Sequence, residues 1–359
     1  MMTEQNIPNF DQLLCPLPLP HKDKVVMSHG SGGSMTKQLI TDIFQRHFSN
    51  AILGQENDFA ALPLEGKNMR VVVSTDGHIV SPIFFPGGDI GRLAVSGTVN
   101  DVAMSGGQVK YLTASFILEE GFSLDNLERV AQSMQDAAAE AGVSIVAGDT
   151  KVAEKGKADG IFISTSGVGF VDAKLQISGA QAKPGDAVIV SGSMGDHGIA
   201  VLAARNQLGF STTIQSDVAP LNGLIRAALQ AAPAIHVLRD PTRGGLATTL
   251  NEIALQSQVD IHLEETAIPV KREVRAACEM LGFDPLYVAN EGKVIVILPQ
   301  EQAQAALDAL HAHPLGQNAV LIGEIAAQAG NTPRVNMHTL IGGTRIVDML
   351  SGEMLPRIC

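Results

Sequence analysis

Apolar side chains recur along the chain in two alternating patterns, short continuous runs and stretches with a spacing of 3.6 residues. Short runs predict strands, and the longer spacing predicts helices. In the first half, the predicted strands are residues 24–27, 69–74, 111–118, 144–147 and 161–170. The predicted helices between them are residues 34–48, 88–105 and 123–141. Such alternation predicts an α/β or α+β domain, which we assign to residues 24–172.

The alternation resumes after a turn at Lys183-Pro184-Gly185-Asp186, the kind of sequence that opens a new unit. The predicted strands that follow are residues 187–190, 259–263, 293–298 and 319–325. The predicted helices lie near residues 196–208, 220–232, 244–257, 270–282 and 300–312. We therefore expect a second α/β domain over residues 173–330. A flexible leader (1–23) precedes the two domains, and a C-terminal segment (331–359) with a strand at 344–347 and a mobile tail follows them.

The acidic composition narrows the classes of function. The chain has 359 residues, of which 45% are hydrophobic, and a formal net charge of -12. Binding to a phosphate backbone needs a basic surface, so this charge argues against nucleic acid. The sequence contains no run of about 18 uncharged apolar residues, so it predicts no membrane-spanning helix, and no signal peptide is evident. We expect a cytoplasmic protein in which a bound nucleotide would need Mg²⁺.

A glycine loop lies between a predicted strand and a predicted helix. It contains Gly30, Gly32 and Gly33. Successive backbone N–H groups before a helix form a pocket for an anion. The spaced Gly-Lys-Ser/Thr of a Walker loop is missing, and a plain connection explains the glycines equally well.

Acidic and amide side chains recur at predicted strand ends and loops. They are Asp58, Asp76, Asn100, Asp101 and Asp149. Carboxylate and amide oxygens are ligands of Mg²⁺, which bridges phosphates. A single acid of this kind is more often a turn former or a helix cap, but four carboxylates in similar settings favour a metal. Lys151, two residues beyond Asp149, adds a positive charge suited to a phosphate.

Two glycine-flanked helix starts in the second half carry charged side chains. They are Ser191-Gly192-Ser193-Met194-Gly195-Asp196-His197-Gly198 and Arg239-Asp240-Pro241-Thr242-Arg243-Gly244-Gly245. Together they predict a cleft facing the first domain, unless Asp196 and Asp240 are helix caps. Glu291, in Asn290-Glu291-Gly292-Lys293, would act as a base if it were buried. The sequence alone slightly favours a solvated turn at this position.

Three cysteines are too far apart in sequence to form a C-x-x-C pair. Cys15, Cys278 and Cys359 therefore predict neither a zinc site nor a disulfide framework. The apolar neighbours of Cys278 at helical spacing predict a buried position. Cys359 is the last residue, and Pro356 favours an extended tail before it. Its position alone favours an incidental terminal cysteine over a tethered carrier.

Several of these segments together resemble the HypE family of hydrogenase maturation proteins, which is related to aminoimidazole ribonucleotide synthetase. The resemblance covers about residues 24–359. The most specific motifs are Ser28-His29-Gly30-Ser31-Gly32-Gly33, Phe84-Phe85-Pro86-Gly87-Gly88-Asp89-Ile90-Gly91, Gly148-Asp149-Thr150-Lys151-Val152, Gly195-Asp196-His197-Gly198, Asp240-Pro241-Thr242-Arg243-Gly244-Gly245, Asn290-Glu291-Gly292-Lys293 and Pro356-Arg357-Ile358-Cys359. The terminal cysteine separates HypE from its relatives.

The resemblance implies a two-domain PurM-like fold and a carbamoyl dehydratase. In such a homodimer the N-terminal domains pair into a β-barrel, and the C-terminal domain is an α/β sandwich. A HypF-type carbamoyltransferase loads the terminal thiol, ATP drives dehydration to a thiocyanate, and a HypC and HypD complex receives the cyanide. The cyanide becomes a ligand of the NiFe hydrogenase active site.

The resemblance also implies roles for individual residues. Asp58, Asp76, Asn100, Asp101 and Asp149 would hold Mg²⁺ and the phosphates of ATP, with the loop of Gly30, Gly32 and Gly33 covering them. Lys151 and Glu291 would position and deprotonate the carbamoyl group that Cys359 carries. Asp58 stands alone where related synthases often have two adjacent acids. The alternatives are a selenophosphate or thiamine-phosphate type of phosphotransferase and a non-catalytic, ATP-dependent scaffold.

Overall fold

A computed structural model describes most of the chain. The described residues are 33–45, 47, 50–64, 68–205, 213–350, 352 and 358–359. The leader, the strand expected at 24–27, Gly30, Gly32 and Cys15 lie outside them. Pro356 also lies outside them.

The first half builds a five-stranded mixed sheet with helices against it. Its elements are α1 (Ser34–Leu39), a π-helical turn (Ile40–Gln45), β1 (Ala60–Pro63), β2 (Met69–His78), β3 (Phe84–Phe85), β4 (Gly88–Asp89), α2 (Ile90–Ala103), β5 (Gln108–Glu119), α3 (Leu124–Ala141), β6 (Ser144–Ala153) and β7 (Ile161–Asp172). The sheet order is β1-β2-β7-β5-β6. Only β5 and β6 pair in parallel, and β3 forms a separate hairpin with β4.

Two helices cover one face of this sheet. Residues along β7 alternate between buried and more exposed positions, as expected for a strand with one face on a core. Helix α2 begins where the Asp89 carboxylate accepts from the N–H groups of Gly91 and Arg92, which satisfies donors that a helix start leaves unpaired. Helix α3 ends at Gly142 in the left-handed region, with φ of 68°. Helix α2 is buried on nearly every side, so it forms the centre of this half.

The second half builds a seven-stranded sheet. Its elements are β8 (Asp186–Val190), α4 (Asp196–Ala204), α5 (Asn222–Ala231), β9 (Val237–Arg239), α6 (Gly245–Ser257), β10 (Val259–Glu264), α7 (Arg272–Leu281), β11 (Ile295–Pro299), α8 (Ala303–His311), β12 (Val320–Ala327), β13 (Val335–His338) and β14 (Thr344–Ile346). The sheet order is β14-β13-β10-β12-β8-β11-β9. Short 3₁₀ turns lie at Leu53–Gln55, Glu265–Ala267, Pro285–Tyr287, Gln300–Gln302 and Pro314–Gly316.

A continuous apolar core joins the two sheets. It combines Val99 of α2 and Leu112 of β5 with Ile189 of β8 and Leu224 of α5, and it also includes Ile358 at the chain end. The two halves therefore share one interior, against which the last residues of the chain pack. Among the described helices, none combines the length and the apolar character needed to cross a bilayer.

Apart from the strand expected at 24–27, which lies outside the described residues, the expected elements are present, with corrections to their bounds. The helix expected over residues 34–48 is an α-helix only to Leu39 and then a π-helical turn. The strand expected at 144–147 continues to Ala153, so Asp149 lies within a strand. Asp76 likewise lies within β2 and Asp101 within α2, and not in loops. Cys278 is buried as expected.

Candidate active site

The end of the chain docks against the edge of the first sheet. The N–H of Ile79 donates to a main-chain carboxylate oxygen of Cys359 at 2.9 Å, and Val80 forms an isolated antiparallel bridge with Ile358. The Ile358 side chain is buried in the core. The last two residues thus extend the pairing of β2 beyond His78, and they pack the partly buried Cys359 against the core.

The Cys359 thiol lies among charged side chains from both halves. Burial raises its pKa well above the usual range; Arg243 opposes this shift, whereas Glu291, which is hydrogen-bonded to the thiol, and Asp76 add to it. The nucleophilic form of cysteine is the thiolate. The docked thiol is therefore held neutral, in a state poorly suited to attack.

Glu291 is buried, so the solvated turn favoured by the sequence is wrong. Its backbone N–H donates to Asp217 Oδ1 at 3.1 Å, and a side chain at Gly292 would collide with the Asp217 carbonyl. Burial raises the pKa of Glu291 well above its usual range, and the carboxylates of Asp76 and Asp240 raise it further. Glu291 Oε1 has no hydrogen-bond partner among the described residues, which leaves it free to accept a proton.

Four carboxylates converge on one another, and two of them, Asp76 and Asp240, also lie beside Glu291. Three belong to the first half, Asp58, Asp76 and Asp101, and the fourth is Asp240 at the end of β9. Burial raises the pKa of Asp101 well above its usual range, as do the charges of Asp240, Asp76 and Asp58, in that order. Burial and then Asp58 raise the pKa of Asp240 to about 7, against the opposing effect of Arg239. The structure thus brings Asp58, Asp76 and Asp101 together.

This cluster fits a cation that arrives with phosphates. Mutual repulsion among buried carboxylates is relieved by a divalent cation. Within the described part of the chain, however, no three His, Cys, Asp or Glu side chains are arranged to hold a metal. Mg²⁺ is commonly bound through one or two carboxylates plus substrate phosphates. One or two of Asp101, Asp76 and Asp240 could therefore hold a Mg²⁺ that arrives with a nucleotide, whose phosphates would supply the other ligands.

Arg239 partly neutralises the cluster. Its Nε lies 2.6 Å from Asp58 Oδ2, and its Nη2 lies 2.7 Å from Glu252 Oε2. With Gly33, Lys37 and Glu252 it lines a cavity of about 280 Å³. Gly33, the one residue of the predicted glycine loop that is described, thus lies beside the Asp58 ion pair. A side chain at Gly33 would strike the carbonyl of Leu350.

Asn100 joins the two halves of the chain. Its Nδ2 donates to the Ala219 carbonyl at 3.1 Å, and its Oδ1 accepts from the Leu221 N–H at 2.7 Å. Both ends of the amide therefore contact the backbone that precedes α5. In this arrangement the side chain fixes the position of the second half relative to the acidic cluster.

Asp149 and Lys151 are not brought to this site within one chain. They lie on β6, an edge strand of the sheet, where Lys151 Nζ is 2.6 Å from Asp149 Oδ2. Their side chains are 61% and 70% exposed, respectively. The hydrogen bond from Lys151 lowers the pKa of Asp149, so the two form a solvated pair separate from Glu291.

Arg243 is a site residue that the sequence did not single out. Its positive charge faces Cys359, Asp76, Glu291 and Asp101, and these groups together raise the pKa of its guanidinium. The signal lay in the glycine-flanked start of α6, where Gly244 has φ of 78°. That motif also supplies Asp240, so the start of α6 faces carboxylates of the first half and the chain end.

The arrangement joins three chemical elements: a thiol at a chain end, a buried carboxylate with a raised pKa, and an acidic cluster suited to Mg²⁺ and phosphates. Two family models match the chain, "AIR synthase related protein, N-terminal domain" over residues 56–171 and the corresponding C-terminal domain over residues 183–336. The fold and these matches define a two-domain PurM-like protein related to AIR synthase.

More specific relatives share nearly the whole chain. Carbamoyl dehydratase HypE of Azotobacter vinelandii is 56% identical over 335 residues, covering 93% of this chain and 97% of its own. A solved HypE in complex with ATP has a TM-score of 0.77 and 52% identity, covering 94% of this chain and 100% of its own. HypE in a HypE–HypF complex has a TM-score of 0.81 and 48% identity, covering 87% and 99%. The chain belongs to the HypE family of carbamoyl dehydratases.

Proposed function

We propose that the chain carries a carbamoyl group on Cys359 and dehydrates it with ATP to a thiocyanate, the source of the cyanide ligands of NiFe hydrogenase. The observation that supports this most directly is the docked Cys359 thiol, hydrogen-bonded to buried Glu291 beside the acidic cluster. The family membership and the ATP complex of a relative with 52% identity point the same way.

The reaction balances without a redox partner. The amide oxygen attacks the γ-phosphorus of ATP, and ADP leaves. The two N–H protons are then lost, the C–O bond breaks, and the oxygen departs with phosphate as a C≡N bond forms. Phosphorylation is needed because an amide oxygen is a poor leaving group. The acidic cluster would hold the nucleotide through Mg²⁺, which offsets phosphate charge.

Glu291 is the group best placed to take a proton from the nitrogen. A general base works best when its pKa is near the working pH, and burial together with Asp76 and Asp240 moves the pKa of Glu291 in that direction. Arg243 faces both Glu291 and Cys359. We assign it to holding the carbamoyl oxygen while that oxygen gains negative charge.

The neutral state of the docked thiol indicates that Cys359 is loaded elsewhere. A thiol with a strongly raised pKa is a poor nucleophile, so we infer that Cys359 leaves this position to receive its carbamoyl group. A HypF-type carbamoyltransferase is the proposed donor, since a relative forms a HypE–HypF complex. A HypC and HypD complex is the proposed acceptor of the cyanide.

The experiment that tests this function is mass spectrometry of the C-terminal peptide. Protein carbamoylated by a HypF-type enzyme should lose the mass of one water at Cys359 after ATP and Mg²⁺ are added. Incubation with a non-hydrolysable ATP analogue is the control and should leave the carbamoyl adduct unchanged. ATP hydrolysis with an unaltered adduct would instead show that the chain uses ATP for another reaction and does not dehydrate the carbamoyl group.

We further propose a homodimer that pairs the first sheets through β6. This strand exposes Ile145 by 40%, Val146 by 58% and Val152 by 68%, and apolar side chains on an exposed edge strand are commonly covered by a partner. Asp149 and Lys151 lie on the same strand. In such a dimer, Asp149 and Lys151 of one subunit would therefore reach the active site of the other subunit.

Mixed dimers test whether Lys151 acts across the interface. Lys151→Ala and Glu291→Gln chains, each inactive alone, should recover about a quarter of native activity when co-expressed, because in a closed twofold dimer half the pairs are mixed and each has one complete site. The thiocyanate should form only on the Lys151→Ala chain, which differently tagged subunits reveal by mass. No recovery in verified mixed dimers would place Lys151 in its own chain's site.

A further inference from the structure

A buried histidine contacts the docked chain end. His197, the second residue of α4, is fully buried. Its Nε2 lies 2.7 Å from the carbonyl oxygen of Ile358, and its Nδ1 lies 2.8 Å from Ser216 Oγ. The Phe85 ring packs edge-on against the imidazole with centroids 5.5 Å apart. The imidazole is therefore held on three sides, with one nitrogen directed at the residue before Cys359.

The hydrogen bonds define which nitrogen is the donor. Ser216 Oγ accepts from the Val218 N–H at 3.1 Å, so its own O–H is available to donate to Nδ1. The proton of the neutral ring is then on Nε2, which donates to the Ile358 carbonyl. Burial lowers the pKa of His197, while Asp217 and the Ile358 carbonyl oppose this shift. The ring thus presents a fixed donor.

We propose that His197 is a positioning residue that holds the Ile358 carbonyl and thereby sets the Cys359 sulfur at Glu291. This inference rests on the proposed role of Cys359 as the carrier. The backbone pairing at Ile79 and Val80 also anchors the chain end. That pairing fixes the strand direction. The His197 donor fixes how far the last residue reaches into the site.

The segment Ser216-Asp217 contacts both His197 and the base Glu291. We call the hydrogen bond between His197 and the Ile358 carbonyl the latch. Ser216 orients His197, and the next residue, Asp217, accepts from the Glu291 N–H and from Lys293 Nζ at 2.9 Å. The Ser216 N–H in turn donates to the Pro86 carbonyl at 2.8 Å. The position of the chain end is therefore linked, through two adjacent residues, to the position of Glu291.

Protection of Cys359 against alkylation tests the proposal without ATP or a carbamoyl group. His197→Leu should raise the rate of Cys359 alkylation by iodoacetamide about 10-fold, the usual effect of losing one buried hydrogen bond. His197→Gln keeps an N–H donor and should restore most of the protection. Buried Cys278 reports on general unfolding, and peptide mapping separates its rate from that of Cys359.

The outcomes distinguish a latch from a merely structural histidine. Faster alkylation of Cys359 alone, rescued by glutamine, supports the proposal. Equal rates in native and His197→Leu protein, or no rescue by glutamine, would overturn it. If Cys278 is also exposed in His197→Leu, the variant Ser216→Ala decides, because it frees the imidazole with a smaller change in packing. Faster alkylation of Cys359 in Ser216→Ala supports the latch, and a native rate contradicts it.

Activity then separates this inference from the proposed function. In carbamoylated protein, His197→Leu should lower the dehydration rate with little change in the KM for ATP, since the nucleotide does not depend on the chain end. If the protection pattern is as expected but native protein never forms thiocyanate, the latch stands and the proposed function fails.

Discussion

Replacing Cys359 with alanine is expected to abolish both the carbamoyl adduct and the thiocyanate product while leaving the fold and ATP binding intact. The chain end is anchored by the backbone of Ile358 and Cys359 and by the buried Ile358 side chain, and none of these contacts needs the sulfur. Intact-mass measurement after incubation with a loading partner and ATP checks the product. Calorimetric titration with ATP checks the site.

Cys15→Ala is the matched control, since it removes a thiol in the leader and should leave both products at native levels. A Cys359→Ala protein that still accumulates the adduct would show that another nucleophile is the carrier. The variant also bears on the base, because Glu291 loses its hydrogen bond to the thiol. We expect its pKa to remain high, since burial and the nearby carboxylates are the main causes.

The convergence of Asp58, Asp76 and Asp101 could be predicted from the residues that flank each of them. Each follows or interrupts an apolar segment that must be buried, so the polar group is left at the margin of the core. Asp149 has the same local setting, yet it lies on an exposed edge strand. Whether a strand is central or at an edge depends on the sheet order, which nearby residues do not encode.

The burial of Glu291, in contrast, could not be predicted from the residues near it in sequence. Its sequence, Asn290-Glu291-Gly292-Lys293, is typical of a solvated turn, and turn chemistry alone favours that interpretation. Burial raises its pKa, and so do the charges of Asp76, Asp240 and Asp217, which come from three other segments of the chain. The docked thiol, held by Ile79 and Val80 of the first half, meets Glu291 and Arg243 of the second half only because the two halves pack together.

Four ionisable groups of the site share one property, a raised pKa that disfavours negative charge. Asp101, Asp240, Glu291 and Cys359 all have raised pKa values, with burial the largest cause in each case. A site that disfavours negative charge binds the neutral carbamoyl thioester easily and gains most from a cation bound with ATP. Holding these groups in place lowers the stability of the fold, as is common in preorganised active sites.

Glu291→Gln is expected to slow dehydration by about 10³-fold, within the range for loss of a general base, while carbamoylation of Cys359 by a partner continues. Glutamine matches the shape of the side chain but cannot take the amide proton. The carbamoyl adduct should therefore accumulate, and single-turnover mass measurement of the C-terminal peptide gives the rate. Glu264→Gln, the same change at an exposed carboxylate paired with His338, should leave the rate unchanged.

The pH profile supplies a second test of the same residue. Glu291 works as a base when ionised, and its pKa is raised, so the native rate should climb as pH rises through that pKa and then level off. The variant should lose this rise. Removing the carboxylate should not lower the thermal stability, because a folded-state pKa raised above the unfolded value means that the ionised group destabilises the fold above the unfolded pKa. A native rate in Glu291→Gln, with the rise intact, would assign the base to another group.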